Sequence, residues 1–338
     1  MNQHTIDDGT GFNRPHAASL RFGLFIVGIV LLGAIEYLET DTLFAGIQFE
    51  DVFIFRLGGY ANLLLIGSTI LYIGHLWSGS ESVGRWASCL ALLGATTSIV
   101  AILWRWIETY YLHRPGHIPL NNLYEMMSLF STATVLIYLV MEHVYRTRAA
   151  GAFVMVIVFM AVVFQVWLAG HDQAIPGGQV RVLKSYWMYA HVLGTFIGYG
   201  AFAVAAAMGI AYLVRAQAEV RGEPAGFAMQ SLPDLQRIDG LMHKAILLGL
   251  PLFCLATFLG SVWSYEAWGR YWAWEPKETW ALLVCVTYVS YFAFRHLGKM
   301  SGSRMAWWTI IGFGITGFCF LGTRLLEPGM HAVAHIPA

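Results

Sequence analysis

The chain has 338 residues, of which 57% are hydrophobic and only 12% charged, and its mean hydropathy is +0.59. A soluble domain of this length carries about twice that share of charge on its surface, so composition points to a chain embedded in lipid. Twenty Lys and Arg balance twenty Asp and Glu, and this neutrality gives no case for a nucleic-acid partner.

The first twenty residues are polar and mixed in charge (His4, Asp7, Asp8, Arg14, His16) and show no cleavable signal peptide. The apolar run that begins near Leu20 therefore reads as an anchor helix. A helix needs roughly 20 apolar residues to cross a bilayer. Nine stretches qualify: about 20–38, 57–77, 86–107, 123–145, 150–169, 186–215, 241–264, 277–299 and 305–327. An amphipathic stretch, Glu39 to Phe55, separates the first two and suits a short helix on the membrane surface. The longest polar stretch, about 216–240, reads as a loop with a short helix of its own. No internal repeat or low-complexity segment is present. Backbone polar groups in lipid must be satisfied within their own segment. The expected fold is accordingly all-α, a polytopic transmembrane helix bundle of about nine spans. Residues 1–55 form an anchor with its amphipathic segment, and 56–338 form the main transmembrane domain.

Lys and Arg set the orientation. With the N-terminus in the cytoplasm, twelve of the twenty fall on inner segments, among them Arg85, Arg146, Arg148, Lys244 and Arg295, and eight on outer ones. Nine spans then place the C-terminus outside, with outer loops at about 108–122, 170–185 and 264–276. Cys89, Cys254, Cys285 and Cys319 each sit in an apolar run, and no two have C-x-x-C spacing. Neither a zinc site nor a redox pair is indicated, and four buried small apolar residues are expected.

The most informative segment is Trp263 to Trp280, W-S-Y-E-A-W-G-R-Y-W-A-W-E-P-K-E-T-W. Trp263, Trp268, Trp272, Trp274 and Trp280 fall in one outer loop and its flanks. An aromatic belt at the membrane interface is one reading, although belts scatter one or two Trp per helix end. Gly269 and Pro276 interrupt the helical pattern, and Arg270, Glu275, Lys277 and Glu278 set charge beside the indoles. A flat apolar ring with acidic edge groups suits that mixture. Heme is such a ligand: indole faces pack on the porphyrin, and Arg or Lys meets the propionates. The C-x-x-C-H attachment motif is absent, so heme bound here is not attached through it.

The W-G-x-x-W-x-W-x-P-K-E-T-W-A-L run resembles the tryptophan-rich signature of the CcsA-type cytochrome c biogenesis proteins. These are the membrane heme-handling subunits of the two-component cytochrome c synthase system. G-H-I-P-L-N-N-L-Y-E (Gly116 to Glu125) is similar to that family's P-L-x-N-L-Y-E segment. W-M-Y-A-H-V (Trp187 to Val192) matches its outer-face histidine before a long helix, and G-M-H-A-V-A (Gly329 to Ala334) resembles its G-L-H-S-Y ending. The likeness runs in order over roughly 55–335.

The resemblance implies a site and a reaction. Two outer-face histidines, here His191 and His331, would ligate the iron of a non-covalently held heme b from both sides. Trp263, Trp268, Trp272, Trp274 and Trp280, with Arg270, Glu275 and Lys277, would form the heme platform. The loop would present the heme edge to apocytochrome c, whose C-x-x-C-H thiols take up the vinyl groups. The chain would then be one subunit of a cytochrome c heme lyase (holocytochrome c synthase), in the bacterial inner (plasma) membrane with the heme site facing the periplasm. A synthase partner with a large outer domain would hold the apoprotein, since no loop here is long enough. Read singly, each histidine is more readily an interface residue satisfied by its surroundings; their shared side with the Trp loop favours ligation. His171, His335 and His117 lie on the same face. Glu125 opens a helix, where a carboxylate meets the positive dipole end. Arg105 and Glu108 stand about one turn apart and suit an ion pair. Gly194, Gly198 and Gly200 suit close helix packing.

Two departures from the family pattern stand out. Glu275 replaces the usual Asp before Pro-Lys-Glu. The position of a membrane-embedded histidine in the next helix is Ala293, with His296 three residues on and His75 near the inner end of another helix. In the family that histidine receives heme on its way across the membrane. Its absence favours an alternative reading, a heme-bearing electron-transfer or structural subunit of a larger membrane complex.

Overall fold

The chain divides into two compact units, 1–53 and 54–338. The computed structural model describes residues 50–112, 118–120, 122–169, 185–221, 231–298 and 300–322, with the side chains of 50–56 and 108–112 left aside. The first candidate span, 20–38, and residues 39–49 lie outside the described residues.

Eight α-helices make up the described chain: α1 (Glu50–Ser78), α2 (Glu81–Leu112), α3 (Leu123–Tyr145), α4 (Gly151–Ala169), α5 (Tyr186–Arg221), α6 (Leu235–Trp268), α7 (Pro276–His296) and α8 (Ser303–Phe320). A 3-10 turn, Arg148–Ala150, leads into α4. No strand occurs among the described residues. Six helices, α1 to α6, contain a stretch long and apolar enough to cross a bilayer, as a chain that threads the membrane several times requires. Exposed Leu63, Ile70, Met160 and Phe258 give the bundle an apolar exterior.

Two ends differ from expectation. Glu50 to Phe55 continue into α1 as one helix. Helix α5 runs on to Arg221 and α6 starts at Leu235, so both reach further into the polar stretch 216–240 than the apolar runs do; its residues 222–230, where a loop with a short helix is expected, lie outside the described residues. An i,i+4 pair helps to carry α5 into polar sequence, with Arg215 Nε 2.9 Å from Glu219 Oε1.

In lipid, water does not drive helix against helix, so association rests on close packing and on polar contacts. Helix α5 is the central element: every residue from Ala201 to Met208 is buried, and a helix covered on all sides belongs in the middle of a bundle. It packs on α6, α8, α3 and α4. Its small residues permit this. A Cβ on Gly194 would lie 3.0 Å from Ala256 Cβ, one on Gly198 2.9 Å from Phe253 Cβ, and one on Gly200 2.9 Å from the Thr134 backbone nitrogen.

One end of the bundle is tied by polar contacts. Buried Glu142 of α3 accepts from Tyr72 (2.5 Å), from Ser88 and from Arg148 Nε (3.2 Å). Arg295 of α7 forms a two-pronged pair with Asp239 of α6, at 3.0 and 2.5 Å. The opposite end, where α5 and α7 begin and α6 and α8 finish, holds the pocket.

Candidate functional site

Helix α6 stops at Trp268 because Gly269 takes a left-handed backbone (φ +74°), its N–H closing on the Tyr265 carbonyl at 2.9 Å. Helix α7 opens with Pro276, which suits a first turn that has no use for its N–H. Between them the chain turns at Trp274, whose φ of +57° is left-handed. Glu278 clamps that turn: its Oε2 accepts from the N–H of Ala273 (2.7 Å) and of Glu275 (3.2 Å). Ser264 Oγ adds a bond to the Arg270 carbonyl at 2.8 Å. Glu278 is thus committed to shaping the loop.

Below the loop lies a pocket with about 760 Å³ of empty volume, its open mouth included. Its walls come from α3, α5, α6, α7, α8 and the loop. They are largely apolar, with Phe196, Tyr199, Phe253 and Phe320 together on one side.

His191, in the second turn of α5, lines this pocket. Its Nδ1 is 2.7 Å from the Ala256 carbonyl. A carbonyl only accepts, so Nδ1 carries the proton and Nε2 of the neutral ring carries the lone pair. That tautomer is the one a metal-binding imidazole uses when a backbone carbonyl supports it. Thr195 Oγ1 ties back to the His191 carbonyl at 2.7 Å.

Of the residues expected to hold heme, the structure brings four to the pocket: His191, Trp263, Trp272 and Lys277. Trp263 is buried and meets Trp268 edge to face, 4.9 Å between ring centres. Among the described residues, Trp272 Nε1 is buried without a hydrogen-bond partner. An orphaned indole N–H in a pocket wall is costly unless a ligand accepts from it. A carboxylate-edged ring that packs between indoles and lies within reach of Lys277 supplies such an acceptor, so the lining fits heme. Trp268, Trp274, Trp280, Glu275 and Arg270 do not line the pocket. Trp274 points outward, 69% exposed, and Arg270 is exposed on the loop. Trp280 leans on Phe318 at 4.2 Å. His331, like His117, His171 and His335, lies outside the described residues.

Several neighbouring residues take structural parts. Glu125 is buried against Arg105, Nε to Oε1 at 2.9 Å, and its N–H is capped by Asn122 Oδ1 at 2.8 Å. Arg105 therefore reaches across to α3, while the side chain of Glu108 lies outside the described residues. His75 is buried with Nδ1 2.9 Å from the Ser80 carbonyl. His296 is exposed at the end of α7, and Ala293 is exposed one turn before it. Cys89 is exposed on α2, against expectation, where an apolar exterior accepts a small thiol. The thiols of Cys254 and Cys285, on α6 and α7, stand 3.4 Å apart.

Sequence reasoning missed Gly260, Tyr199, Cys319 and Phe320, which also line the pocket. They sit in apolar helices and carry no local signal.

Comparison with known proteins bears on the same region. Residues 120–331 match the family model described as cytochrome C assembly protein, and every residue lining the pocket falls in that stretch. The cytochrome c biogenesis protein CcsA of Guillardia theta is 28% identical over 300 residues, covering 85% of this chain and 97% of its own. The proteins of that name from Synechococcus elongatus and Gloeobacter violaceus are each 29% identical, over 282 and 300 residues. They cover 72% and 75% of this chain, and 82% and 86% of their own. Among solved structures, cytochrome c heme lyase CcmF superposes with a TM-score of 0.61 at 15% identity, covering 86% of this chain. The chain spans about half (49%) of that larger protein, and the likeness is one of fold.

Proposed function

The chain belongs to the cytochrome c assembly protein family, and from that membership we propose that it binds heme non-covalently at the pocket and delivers it to apocytochrome c for thioether attachment. The observation that carries this reading is His191, held by the Ala256 carbonyl with Nε2 as its lone-pair nitrogen, in an aromatic pocket that also contains an orphaned Trp272 N–H. His331 is proposed as the second axial ligand, on the strength of the sequence resemblance. Trp263 and Trp272 pack on the porphyrin, and Lys277 and the Trp272 N–H meet its propionates. Arg270, Trp274 and Glu275 in the loop, with Trp268 and Trp280 on the helix ends that flank it, surround and present the heme edge.

Heme is here the cargo. The protein's part is to hold it, orient it and keep water from it, while vinyl chemistry occurs on the thiols of the acceptor. Six apolar helices and the excess of inner Lys and Arg support a multi-pass protein of the bacterial inner membrane with the pocket outside. The full count of about nine spans, an inner N-terminus, an outer C-terminus and an anchor with its amphipathic segment over 1–55 belong to the same proposal, on the strength of the sequence. The short loops of this chain call for a synthase partner with a large outer domain to hold apocytochrome c. The pair would form a cytochrome c heme lyase.

One observation favours a second reading, a heme-bearing electron-transfer or structural subunit: Ala293 offers no ligand in the helix after the loop. A single set of measurements separates the two. Purified chain is expected to show a heme absorbance that disappears in His191→Ala and in His331→Ala, and deletion of the protein is expected to abolish c-type cytochromes. Normal heme with fully matured cytochromes in the deletion strain establishes the second reading. A chain that stays colourless with added heme removes both.

A further inference from the structure

We propose that one turn of α6, Ala256 to Gly260, is a built seat for the His191 imidazole, with the Ala256 carbonyl fixing its tautomer and the bare Gly260 making room for its ring. The inference rests on the reading of His191 as a heme ligand and deepens it by naming what positions that ligand.

The geometry is specific to the ring. A Cβ on Gly260 would fall 2.6 Å from His191 Nδ1, 2.8 Å from Cε1 and 3.2 Å from Cγ. All three nearest atoms belong to the imidazole. This sets Gly260 apart from Gly194 and Gly198, whose added Cβ would meet Ala256 and Phe253. Those glycines let α5 and α6 approach; Gly260 lets a side chain lie flat on the helix. The ring has little freedom to retreat. Its Nδ1 is held at 2.7 Å by the Ala256 carbonyl, one turn before Gly260. Its backbone is fixed by the tight packing of Gly194 on Ala256 and by the Thr195 bond to the His191 carbonyl. A methyl at 260 therefore displaces the imidazole from the carbonyl. The N–H is then no longer confined to Nδ1, and the ring loses its fixed place in the pocket wall. Outer partners of this kind orient a metal-binding histidine and raise its basicity, and their loss typically costs 10–100-fold in affinity.

The same substitution would favour the helix itself, since alanine outranks glycine in helical propensity. A loss confined to heme binding is therefore the signature of a seat, and a loss of stability is the signature of packing.

The test uses the full chain purified in detergent and titrated with hemin. Gly260→Ala is expected to bind 10–100-fold more weakly and to lose the low-spin spectrum of the wild type, with added imidazole restoring it. Gly198→Ala is expected to lower the unfolding midpoint while keeping the wild-type spectrum and affinity. Histidine nitrogen NMR of the heme-free wild-type chain, with His191 assigned by its loss in His191→Gln, is expected to show the Nδ1–H tautomer. That measurement stands even if Gly260→Ala does not fold. Wild-type affinity and spectrum in Gly260→Ala, or an Nε2–H tautomer in the wild type, overturns the seat. A wild-type chain that takes up no hemin, or takes it up regardless of His191→Ala, overturns the functional reading, and the tautomer still decides whether the turn acts as described.

Discussion

Arg105 Nε lies 2.9 Å from Glu125 Oε1, and both side chains are more than nine-tenths buried. The pair joins the later part of α2 to the first turn of α3, beside the N-cap that Asn122 supplies. Removing one member takes a close charge partner from the other, and breaking a buried pair typically costs about 3–5 kcal/mol. Arg105→Ala and Glu125→Ala are each expected to lose about that much in denaturant unfolding in detergent. The paired change Arg105→Met with Glu125→Leu is expected to recover most of it. Single variants that unfold no earlier than the double would show that the ion pair contributes through its shape alone.

A second polar tie closes the far end. Glu142 collects Tyr72 from α1, Ser88 from α2 and Arg148 from the turn before α4. Tyr72→Phe removes one hydrogen bond to a buried carboxylate, worth about 1.5–3 kcal/mol. Glu81, which meets Arg148 at 2.7 Å but is 68% exposed, is expected to matter little: Glu81→Ala should stay within about 1 kcal/mol. Unfolding midpoints for the two variants check the ranking, and equal losses would contradict it.

Much of this fold can be read from the residues, because the length of an apolar run is set by bilayer thickness and needs no tertiary information. Helix ends are harder to read. Polar sequence past the lipid stays helical when its own side chains pair, as Arg215 and Glu219 do, so α5 outlasts its apolar stretch. The site divides in the same way. The density of Trp between 263 and 280 marks a special loop, and His191 is marked by its neighbours in sequence. Which indoles face the pocket depends on the backbone reversals at Gly269, closed on the Tyr265 carbonyl, and at Trp274, held by the Glu278 clamp, and neither reversal shows as a periodicity. Gly260 is invisible in sequence, because its meaning lies in a ring that arrives from another helix.

Trp272 offers a test of which edge of the ligand the pocket grips. Trp272→Phe keeps an aromatic face and deletes the buried N–H. Loss of one such bond is worth roughly 1–1.5 kcal/mol, about a five- to tenfold drop in hemin affinity. The drop is expected to vanish when the propionates are esterified, since the acceptor charge is then gone. Equal losses for both porphyrins would assign Trp272 to stacking alone.

Trp274 is the residue whose conformation most needs a reason. A bulky side chain at φ +57° costs roughly 1–2 kcal/mol relative to ordinary backbone, and its ring stands 69% exposed, outside the pocket. Glu278 holds the flanking N–H groups and so enforces the turn. Strain of this kind persists where the surroundings impose it and function keeps it. Trp274→Gly is therefore expected to fold with an unchanged or slightly raised unfolding midpoint and to bind hemin as the wild type does. If the ring contacts the incoming apocytochrome, the yield of c-type cytochrome falls in cells carrying that variant although heme loading is intact. Glu278→Ala, which releases the turn, is expected to give the same yield defect together with a lower unfolding midpoint. A wild-type cytochrome yield from Trp274→Gly would exclude the exposed indole as a contact and leave its strained backbone a consequence of the clamp.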